Sequence, residues 1–402
     1  MAKKFISFLG TGKYLECSYQ FKEKCGNKVI YIQEDLIDRF CTDFSEEDKI
    51  VIFLTKEARE THWTNKLEVI LNSKGLKCNI DDVDINLSKT ESDIWKLFEQ
   101  IYSKIEFGDE IIFDLTHSFR YLPMLFFSVL HYASFIKKVS VKGIYYGAFD
   151  AKDSTSNIAP IFDLTDSFKI MEWANAADAF SNYGIADKLV KCVNERASDF
   201  IGSAGLARNI LGISKDISYS RLISIAEGDK FKSVKKGIAD LKDNLQPAFN
   251  PILETVSKKI EKFEEKSTLN FIPAVQWCID HEMVPQGFTI LQEGLLSYII
   301  AKQELNVQDR ILREILSNIL STQYNANYQP HSQEANYEVE INRIREDDFF
   351  SDELCQIYRS IGQSRNDVNH GGTGDNATER TEKLFNNLKK RFKEVKDLLK
   401  LD

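Results

Sequence analysis

Residues 364–370, with the sequence SRNDVNH, place an arginine and a histidine five positions apart. The guanidinium of Arg365 stays charged at any physiological pH and can hold a phosphate through paired hydrogen bonds. The imidazole of His370 can give or take a proton near neutral pH. Neither task needs a metal ion, so this pair predicts metal-independent phosphodiester chemistry. Taken alone, the same spacing also fits a solvated loop with an ordinary histidine.

A second group of polar residues follows the apolar run 111–115 and precedes a long apolar segment that is typical of a helix. The group contains Thr116, His117, Ser118 and Arg120. Its hydroxyls and a helix N-terminus can donate to phosphate oxygens or ribose hydroxyls, and Arg120 supplies positive charge. The pattern therefore favours a nucleotide ligand. The alternative is a capping turn in which Ser118 is the N-cap and His117 packs on a neighbouring loop.

Small residues at positions 10–12 (GTG) follow the apolar run 5–9. They allow backbone N–H groups to approach phosphates closely, which invites a nicotinamide-cofactor interpretation supported by Glu34 and Asp35. Against it, Leu15 stands where the dinucleotide-binding pattern requires its third glycine. A tight turn without any ligand is the other alternative.

The first 165 residues alternate β-rich apolar runs with helical patterns, which predicts an α/β fold with a mainly parallel sheet. The predicted strands are 5–9, 29–32, 50–55, 111–116 and 139–147, and the predicted helices between them are 57–71, 92–105 and 121–136. Ligands of open α/β sheets bind outside the carboxyl ends of the strands. Both polar groups of the first half occupy such positions.

From residue 166 onward the pattern predicts only helices. The helical segments include 171–183, 185–197, 231–245 and 252–265. Residues 364–370 are predicted to follow a further helix, because Leu354, Ile357, Tyr358 and Ile361 recur at helical spacing. A helix with Phe288, Leu291, Leu295 and Tyr298 on one face is predicted to pack against it.

Composition limits the possible functions. A chain of 402 residues predicts two to three domains, and no apolar segment is long enough for a secretory signal or a membrane span, so we expect a cytoplasmic protein. The seven dispersed cysteines contain no C-x-x-C pair, which argues against zinc sites and disulfides. A net charge of −9 argues against a broad surface for long nucleic acid, so no DNA partner is expected.

Several stretches together resemble the CRISPR-associated ancillary ribonucleases of type III systems, which have an N-terminal CARF sensor domain and a C-terminal HEPN domain. The stretches are 8–12 (FLGTG), 52–55 (IFLT), 114–120 (DLTHSFR), 145–148 (YYGA) and 365–370 (RNDVNH). The resemblance covers nearly the whole chain and is loosest over residues 185–265. It implies a Rossmann-like CARF domain at 1–165, a helical connector at 166–265 and an all-α HEPN domain at 266–402.

For the first half, the resemblance implies a site for a cyclic oligoadenylate, a second messenger made when the type III surveillance complex detects foreign RNA. The implied binding residues are Gly10, Thr11, Gly12, Thr116, His117, Ser118, Phe119 and Arg120. The ring would lie across the two-fold axis of a homodimer, which favours an even ring, with four adenylates before six. No other cofactor is implied.

For the helical half, the resemblance implies a ribonuclease site formed by Arg365, Asn366 and His370 of both chains. The 2′-hydroxyl of single-stranded RNA would attack the adjacent phosphorus, His370 would assist proton transfer and Arg365 would stabilise charge on the phosphoryl oxygens. Asn366 would orient the imidazole or a phosphate. The products would be a 2′,3′-cyclic phosphate and a 5′-hydroxyl.

Alternatives remain open beside this activator-gated endoribonuclease. The protein can instead be a nucleotide-sensing regulator whose helical half binds a partner and has no catalytic activity. The sensor site can also cleave its own ring, if Thr11, His117 and Ser118 align a ribose hydroxyl for attack. A cofactor-dependent oxidoreductase is the third class.

Overall fold

The computed structural model describes residues 2–86, 90–117, 121–196, 202–322, 332–371, 373 and 381–401. The chain divides into two compact units, Met1–Lys169 and Ile170–Asp402. The first unit is α/β and the described residues of the second are helical, which confirms the predicted fold class. None of the helices within the described ranges has the length and apolar character needed to cross a membrane.

One eight-stranded sheet organises the first unit. Its strands are β1 (Lys3–Leu9), β2 (Cys17–Phe21), β3 (Lys24–Val29), β4 (Lys49–Leu54), β5 (Asn79–Asp84), β6 (Glu110–Asp114), β7 (Ser140–Gly147) and β8 (Ile158–Asp163). They lie in the order β3-β2-β8-β7-β6-β1-β4-β5. The strands β7, β6, β1, β4 and β5 are mutually parallel, whereas β8 is antiparallel to β7 and β3 to β2. The most apolar strands occupy the centre, because a parallel sheet is buried on both faces.

The chain reverses its direction of travel across the sheet at β1. Among the five parallel strands, β4 and β5 follow β1 and lie on one side of it, and β6 and β7 lie on the other side. Ligands of open α/β sheets bind at such a switch point, beyond the carboxyl ends of the strands. Here those ends lead directly into Gly10 after β1 and into Thr116 after β6.

Alternation along β1 fixes which side chains face each layer of helices. Phe5 and Leu9 belong to one apolar cluster, and Ile6 and Phe8 belong to the cluster on the opposite face. A slip of one residue would exchange the two sets, so the packing on both faces fixes the register of this central strand.

The helices of the first unit are α1 (Ile32–Phe40), α2 (Lys56–Ala58), α3 (Glu68–Ser73), α4 (Glu91–Ser103) and α5 (Leu122–Ile136). A π-helical segment, Arg59–Leu67, joins α2 to α3 and contains non-helical backbone at Thr64 and Asn65. π-Helical turns occur frequently at functional sites. This segment carries His62, whose ring contacts Tyr14 in the loop after β1.

The second unit begins within α6 (Thr165–Tyr183). Its further helices are α7 (Asp187–Glu195), α8 (Ser203–Ser218), α9 (Leu222–Glu227), α10 (Asp229–Lys242), α11 (Asn250–Ile260), α12 (Phe271–Asp280), α13 (Val284–Lys302), α14 (Arg310–Thr322), α15 (Glu338–Arg345), α16 (Asp352–Asn369) and α17 (Thr381–Leu398). The helix α13 packs against α16 and buries Phe288, Leu291 and Leu295, which confirms the predicted pairing.

Two predictions about the elements were wrong. Residues 29–32 are not a strand, because β3 ends at Val29 and α1 begins at Ile32, where the carboxylate of Glu34 accepts a hydrogen bond from the N–H of Tyr31 at 3.0 Å. Residues 364–370 do not follow a helix but form the end of α16, with His370 as its C-cap. The apolar spacing located this helix correctly, and its end lies two turns later than expected.

Candidate functional site

The predicted ligand loops of the first unit lie against each other at the switch point of the sheet. A Cβ atom added to Gly10 would lie 3.2 Å from the carbonyl oxygen of His117, so the loop after β1 passes close to the loop after β6. A glycine suits this close approach. Thr11 and Gly12 are exposed beside it. Residues 118–120 (Ser118, Phe119 and Arg120) lie outside the described residues.

A buried carboxylate holds the loop after β6. The side chain of Asp114 accepts hydrogen bonds from the hydroxyl of Ser7 at 2.7 Å and from the hydroxyl of Thr116 at 2.6 Å. The hydroxyl of Thr116 in turn accepts the N–H of Gly147 at 2.8 Å. Burial raises the pKa of Asp114, and the hydrogen bonds from Thr116 and Ser7 oppose that rise. Thr116 is therefore held by β6 and β7 together.

Three aromatic side chains from separate segments meet above these loops. The ring of Tyr14 lies 4.4 Å from that of His117 and 4.5 Å from that of His62, both in edge-to-face geometry. The hydroxyl of Tyr14 accepts the N–H of Gly10 at 3.0 Å. The rings thereby fix the conformation of the loop after β1.

Both histidines of this cluster have pKa values below the usual range. Burial, with a smaller contribution from nearby His62, lowers the pKa of His117 to about 4. Burial and Lys66 lower the pKa of His62, although hydrogen bonds to the backbone of Gly12 and Thr11 oppose this. The Nε2 atom of His117 is buried and has no hydrogen-bond partner among the described residues. At neutral pH the pocket thus presents an uncharged imidazole.

These residues border a cavity of about 180 Å³ at the carboxyl edge of the sheet. Its lining includes Lys13, Tyr14, Thr116, His117 and Asp150. A cation, hydroxyls and an imidazole are groups that can bind phosphate and ribose oxygens. The geometry therefore brings together Gly10, Thr116 and His117 of the predicted set.

The same geometry removes the basis of the nicotinamide interpretation. The carboxylate of Glu34 is occupied by the N–H groups of Tyr31 and Ile30 at the start of α1. Asp35 pairs with Arg39 at 2.5 Å. Neither acid follows a strand of the parallel sheet, because the hairpin β2–β3 precedes α1, so neither is placed to bind a cofactor ribose.

The second predicted site lies at the carboxyl end of α16. Asn366 and His370 are four residues apart, so they share one face of the helix, and both are exposed. Arg365 lies about 140° around the helix from His370, since each residue turns the helix by about 100°. Within one chain, then, the arginine and the imidazole face different directions.

Arg365 faces α13. Its Nη1 atom donates to Oε1 of Gln292 at 3.1 Å and lies 3.5 Å from Oε1 of Glu293. Its Nε atom is buried without an acceptor in the described part of the chain. By contrast, the backbone N–H of His370 closes the helix on the carbonyl of Asn366 at 2.9 Å.

Sequence reasoning passed over Tyr14, His62 and Asp114 in the first site and Gln292 and Glu293 in the second. Asp114 stood at the end of a predicted strand and was a recognisable candidate. The other four make contacts with residues far away in sequence, and no local pattern marks them.

Comparison with known proteins gives two domain matches. Residues 4–150 match the CARF domain of the CRISPR system endoribonuclease Csx1, and residues 169–270 match the second domain of CRISPR-associated protein MJ1674. The chain is 28% identical over 226 residues to CRISPR-associated protein MJ1674 of Methanocaldococcus jannaschii, and this alignment covers 55% of the chain and 33% of that relative. The aligned part is thus about a third of that protein's length. The matches confirm the predicted resemblance for the CARF domain.

Proposed function

We propose that this CRISPR-associated CARF protein of the type III kind is an endoribonuclease that a cyclic oligoadenylate switches on. The observation that carries the proposal is the polar cavity at the switch point of a sheet that matches the CARF domain of Csx1. Arg365, Asn366 and His370, at the end of α16, supply the cutting chemistry. The proposed substrate is single-stranded RNA, and the proposed compartment is the cytoplasm.

The size of the cavity favours a ligand shared between two chains. Sites for whole small molecules measure roughly 300–1,000 Å³, whereas this cavity measures about 180 Å³. It has room for part of a ring and not for a whole cyclic tetra-adenylate. Two copies related by a two-fold axis would each hold half of an even ring, and the cations of both would face its phosphates.

An aromatic surface on α4 and α5 supports a homodimer. The rings of Trp95, Phe98, Tyr102 and Tyr132 form a continuous series with centroid separations of 5.1 to 6.4 Å. Trp95 is 66% exposed, and Phe135 on α5 is 68% exposed. We name this set the α4–α5 aromatic surface. Contiguous exposed apolar surface of this kind marks protein contacts.

The position of α5 suggests what such a contact does. This helix begins at Leu122, directly after the loop that carries Thr116 and His117. If the α4–α5 aromatic surface packs on a second copy, α5 connects that contact to the ligand loop of each chain, since Tyr132 and Phe135 lie on the same helix as Leu122. The proposed dimer contact and the proposed shared ligand are therefore consistent.

The proposed cleavage is a transesterification. The 2′-oxygen of the substrate forms a bond to phosphorus as the bond to the 5′-oxygen breaks, which leaves a 2′,3′-cyclic phosphate and a 5′-hydroxyl. His370 would transfer the proton, and Arg365 would stabilise the charge on the phosphoryl oxygens. Because Arg365 and His370 face different directions on α16, the cleft would combine the arginine of one chain with the histidine of the other.

The decisive experiment is an RNA cleavage assay with and without cyclic tetra-adenylate, run in EDTA. We expect cleavage only with the activator, no loss in EDTA, and products with cyclic phosphate ends. A chain that binds the activator and never cuts would be a sensing regulator. Products with a 3′-hydroxyl and a 5′-phosphate would mean that water is the nucleophile.

A second activity has one specific observation in its favour. The pKa of His117 is lowered to about 4 and this residue lines the cavity, so an uncharged imidazole borders the proposed ligand site. Such a group can accept the proton of a ribose hydroxyl. The test is to incubate cyclic tetra-adenylate with the protein and to monitor the ring by chromatography. Slow loss of the intact ring would establish this activity.

A further inference from the structure

We infer that Gln292 and Glu293 of α13 are positioning residues that hold the guanidinium of Arg365 for catalysis, an inference that rests on the proposed ribonuclease function. The Nη1 atom of Arg365 lies 3.1 Å from Oε1 of Gln292 and 3.5 Å from Oε1 of Glu293. An arginine side chain has several rotatable bonds and loses its freedom only when its head group is bonded. Two acceptors on the neighbouring helix supply that restraint.

Glu293 is itself fixed by a second arginine. Its Oε2 atom lies 2.6 Å from Nη2 of Arg313 on α14. The Nη1 atom of Arg313 donates to the hydroxyl of Ser297 at 2.8 Å and to the carbonyl of Val307 at 2.9 Å. The carboxylate of Glu293 therefore lies between two guanidiniums, and Arg313 determines which way it points. This arrangement gives the carboxylate a defined position before any substrate arrives.

A glycine on α16 leaves space for the side-chain amide of Gln292. Gly362 lies one turn before Arg365, and a Cβ atom there would approach Nε2 of Gln292 to 3.1 Å. Such a contact is tight, so the absence of a side chain makes room for the glutamine. Gln292 is buried, with 6% of its surface exposed. This buried amide makes side-chain hydrogen bonds with both Arg365 and the hydroxyl of Tyr358, so it ties the arginine to the buried part of the helix pair.

The chemistry explains why this restraint matters. Charge that develops on phosphoryl oxygens is stabilised by donors that are already in place and need not reorganise. Misplacement by about 1 Å can cost on the order of a hundredfold in rate. Within the described residues, no comparable pair of side-chain acceptors fixes Asn366 or His370. Of the three proposed catalytic residues, Arg365 is therefore the one whose side chain is held by neighbouring acceptors in the described structure.

The test is steady-state RNA cleavage over a range of RNA concentrations, at saturating activator, with Glu293→Gln and Gln292→Ala. We expect kcat to fall by about 10-fold to 100-fold while KM changes less than about twofold. In an Arg365→Ala background, Glu293→Gln should cause no further loss, because the group that it positions is absent. Gln303→Ala is the matched control, since this glutamine at the end of α13 is also buried but bonds to Asp347 instead.

Gly362→Ala offers an independent variant. It leaves Arg365, Gln292 and Glu293 in the chain and displaces only the amide, so we expect a smaller loss of kcat with activator binding unchanged. A purely structural role would instead lower the melting temperature of these variants and leave kcat per folded molecule unchanged.

The possible results distinguish failure of the positioning role from failure of the proposed ribonuclease function. If Glu293→Gln retains the wild-type kcat while Arg365→Ala is inactive, the ribonuclease stands and the positioning role is wrong. If Glu293→Gln gains activity without activator, the pair restrains Arg365 and does not position it. If the wild-type protein fails to cleave RNA under any activator, both conclusions fall together.

Discussion

The two candidate sites are constructed differently. The pocket at the sheet edge is lined by Tyr14 and His117 from separate segments of one chain, and His62 from a third segment packs on Tyr14. The site on α16 presents Asn366 and His370 on the exposed end of a single helix. The first has an interior of its own, whereas the second is an open surface.

This difference indicates where control resides. A pocket that is already formed can recognise its ligand before anything else happens, whereas an open pair of groups needs a second surface to complete a cleft. A ligand shifts an equilibrium only through its differential affinity for the two states. We therefore expect the activator to favour a dimer state in which two α16 ends face each other.

The largest effect should come from His370→Ala. Removing the proton-transfer group should lower the cleavage rate by roughly 100-fold to 10,000-fold, while binding of cyclic tetra-adenylate stays within error of wild type. Cleavage of a labelled RNA and calorimetric binding of the activator measure the two functions separately.

Asn369→Ala is the control, because Asn369 is the exposed neighbour of His370 on the same turn. Asn369→Ala should change neither the cleavage rate nor the affinity for the activator by more than about twofold, because substitutions of exposed residues usually have small effects. Loss of activator binding in His370→Ala would contradict the division into a sensing unit and a cutting unit.

The central sheet could be predicted from sequence, and its edges could not. β1, β4 and β6 are continuous apolar runs, because a strand buried on both faces must be apolar. The strands β2, β3 and β5 are polar and partly exposed, and β5 reads NIDDVD. Such sequences lack the apolar pattern that identifies a strand, and only pairing with neighbours makes them part of the sheet.

The sites show the same limit. Thr116 and His117 could be chosen because they directly follow an apolar strand, and Arg365 because of its spacing to His370. The contact of His62 with Tyr14 joins residues 48 positions apart, and that of Arg365 with Gln292 joins residues 73 positions apart. These depend on a helical kink and on the packing of α13 against α16, which local composition does not encode.

The next effect concerns the α4–α5 aromatic surface. Trp95→Glu combined with Phe135→Glu places two charges in the proposed contact, so dimerisation should weaken and activator potency should fall by roughly 100-fold, since a desolvated unpaired charge is costly. Analytical sedimentation measures dimerisation, and a curve of cleavage rate against activator concentration measures potency. Val69→Glu is the control, because Val69 is also exposed, at 54%, but lies on α3, which packs on the opposite face of the sheet from α4 and α5. A monodisperse dimer in the double variant would place the contact elsewhere.

A smaller effect is expected from Arg120→Ala. A charge-assisted hydrogen bond to a buried or partly buried group contributes about 1.5–3 kcal/mol, so the activator concentration for half-maximal cleavage should rise by about 10-fold to 100-fold. The maximal rate should change little, because the cutting residues are untouched. Lys77→Ala, an exposed cation before the amino end of β5, should leave the curve in place. An unmoved curve for Arg120→Ala would remove this residue from the ligand site.

The smallest effect is the pH dependence of stability that His117 contributes in the closed pocket. Burial lowers the pKa of His117 to about 4 in the folded chain, whereas its ordinary value is 6.5. Between these two values the unfolded chain binds a proton that the folded chain does not, so stability falls as the pH drops from 6.5 towards 4. The loss is at most about 3 kcal/mol, and part of it is screened because His117 is not fully buried.

His117→Gln should remove this contribution, because glutamine does not titrate, while the lowered pKa values of His62, His131 and His281 act in both proteins. The comparison must be made as a difference between the two proteins, since Asp114 beneath the pocket has a raised pKa and its contribution runs the opposite way, with stability falling as the pH rises. We therefore expect the melting temperatures of the two proteins to separate by a few degrees between pH 7 and pH 4.5. Parallel melting curves over that range would mean that the imidazole is protonated or solvated in the folded chain, and the pocket would then be as open as the end of α16.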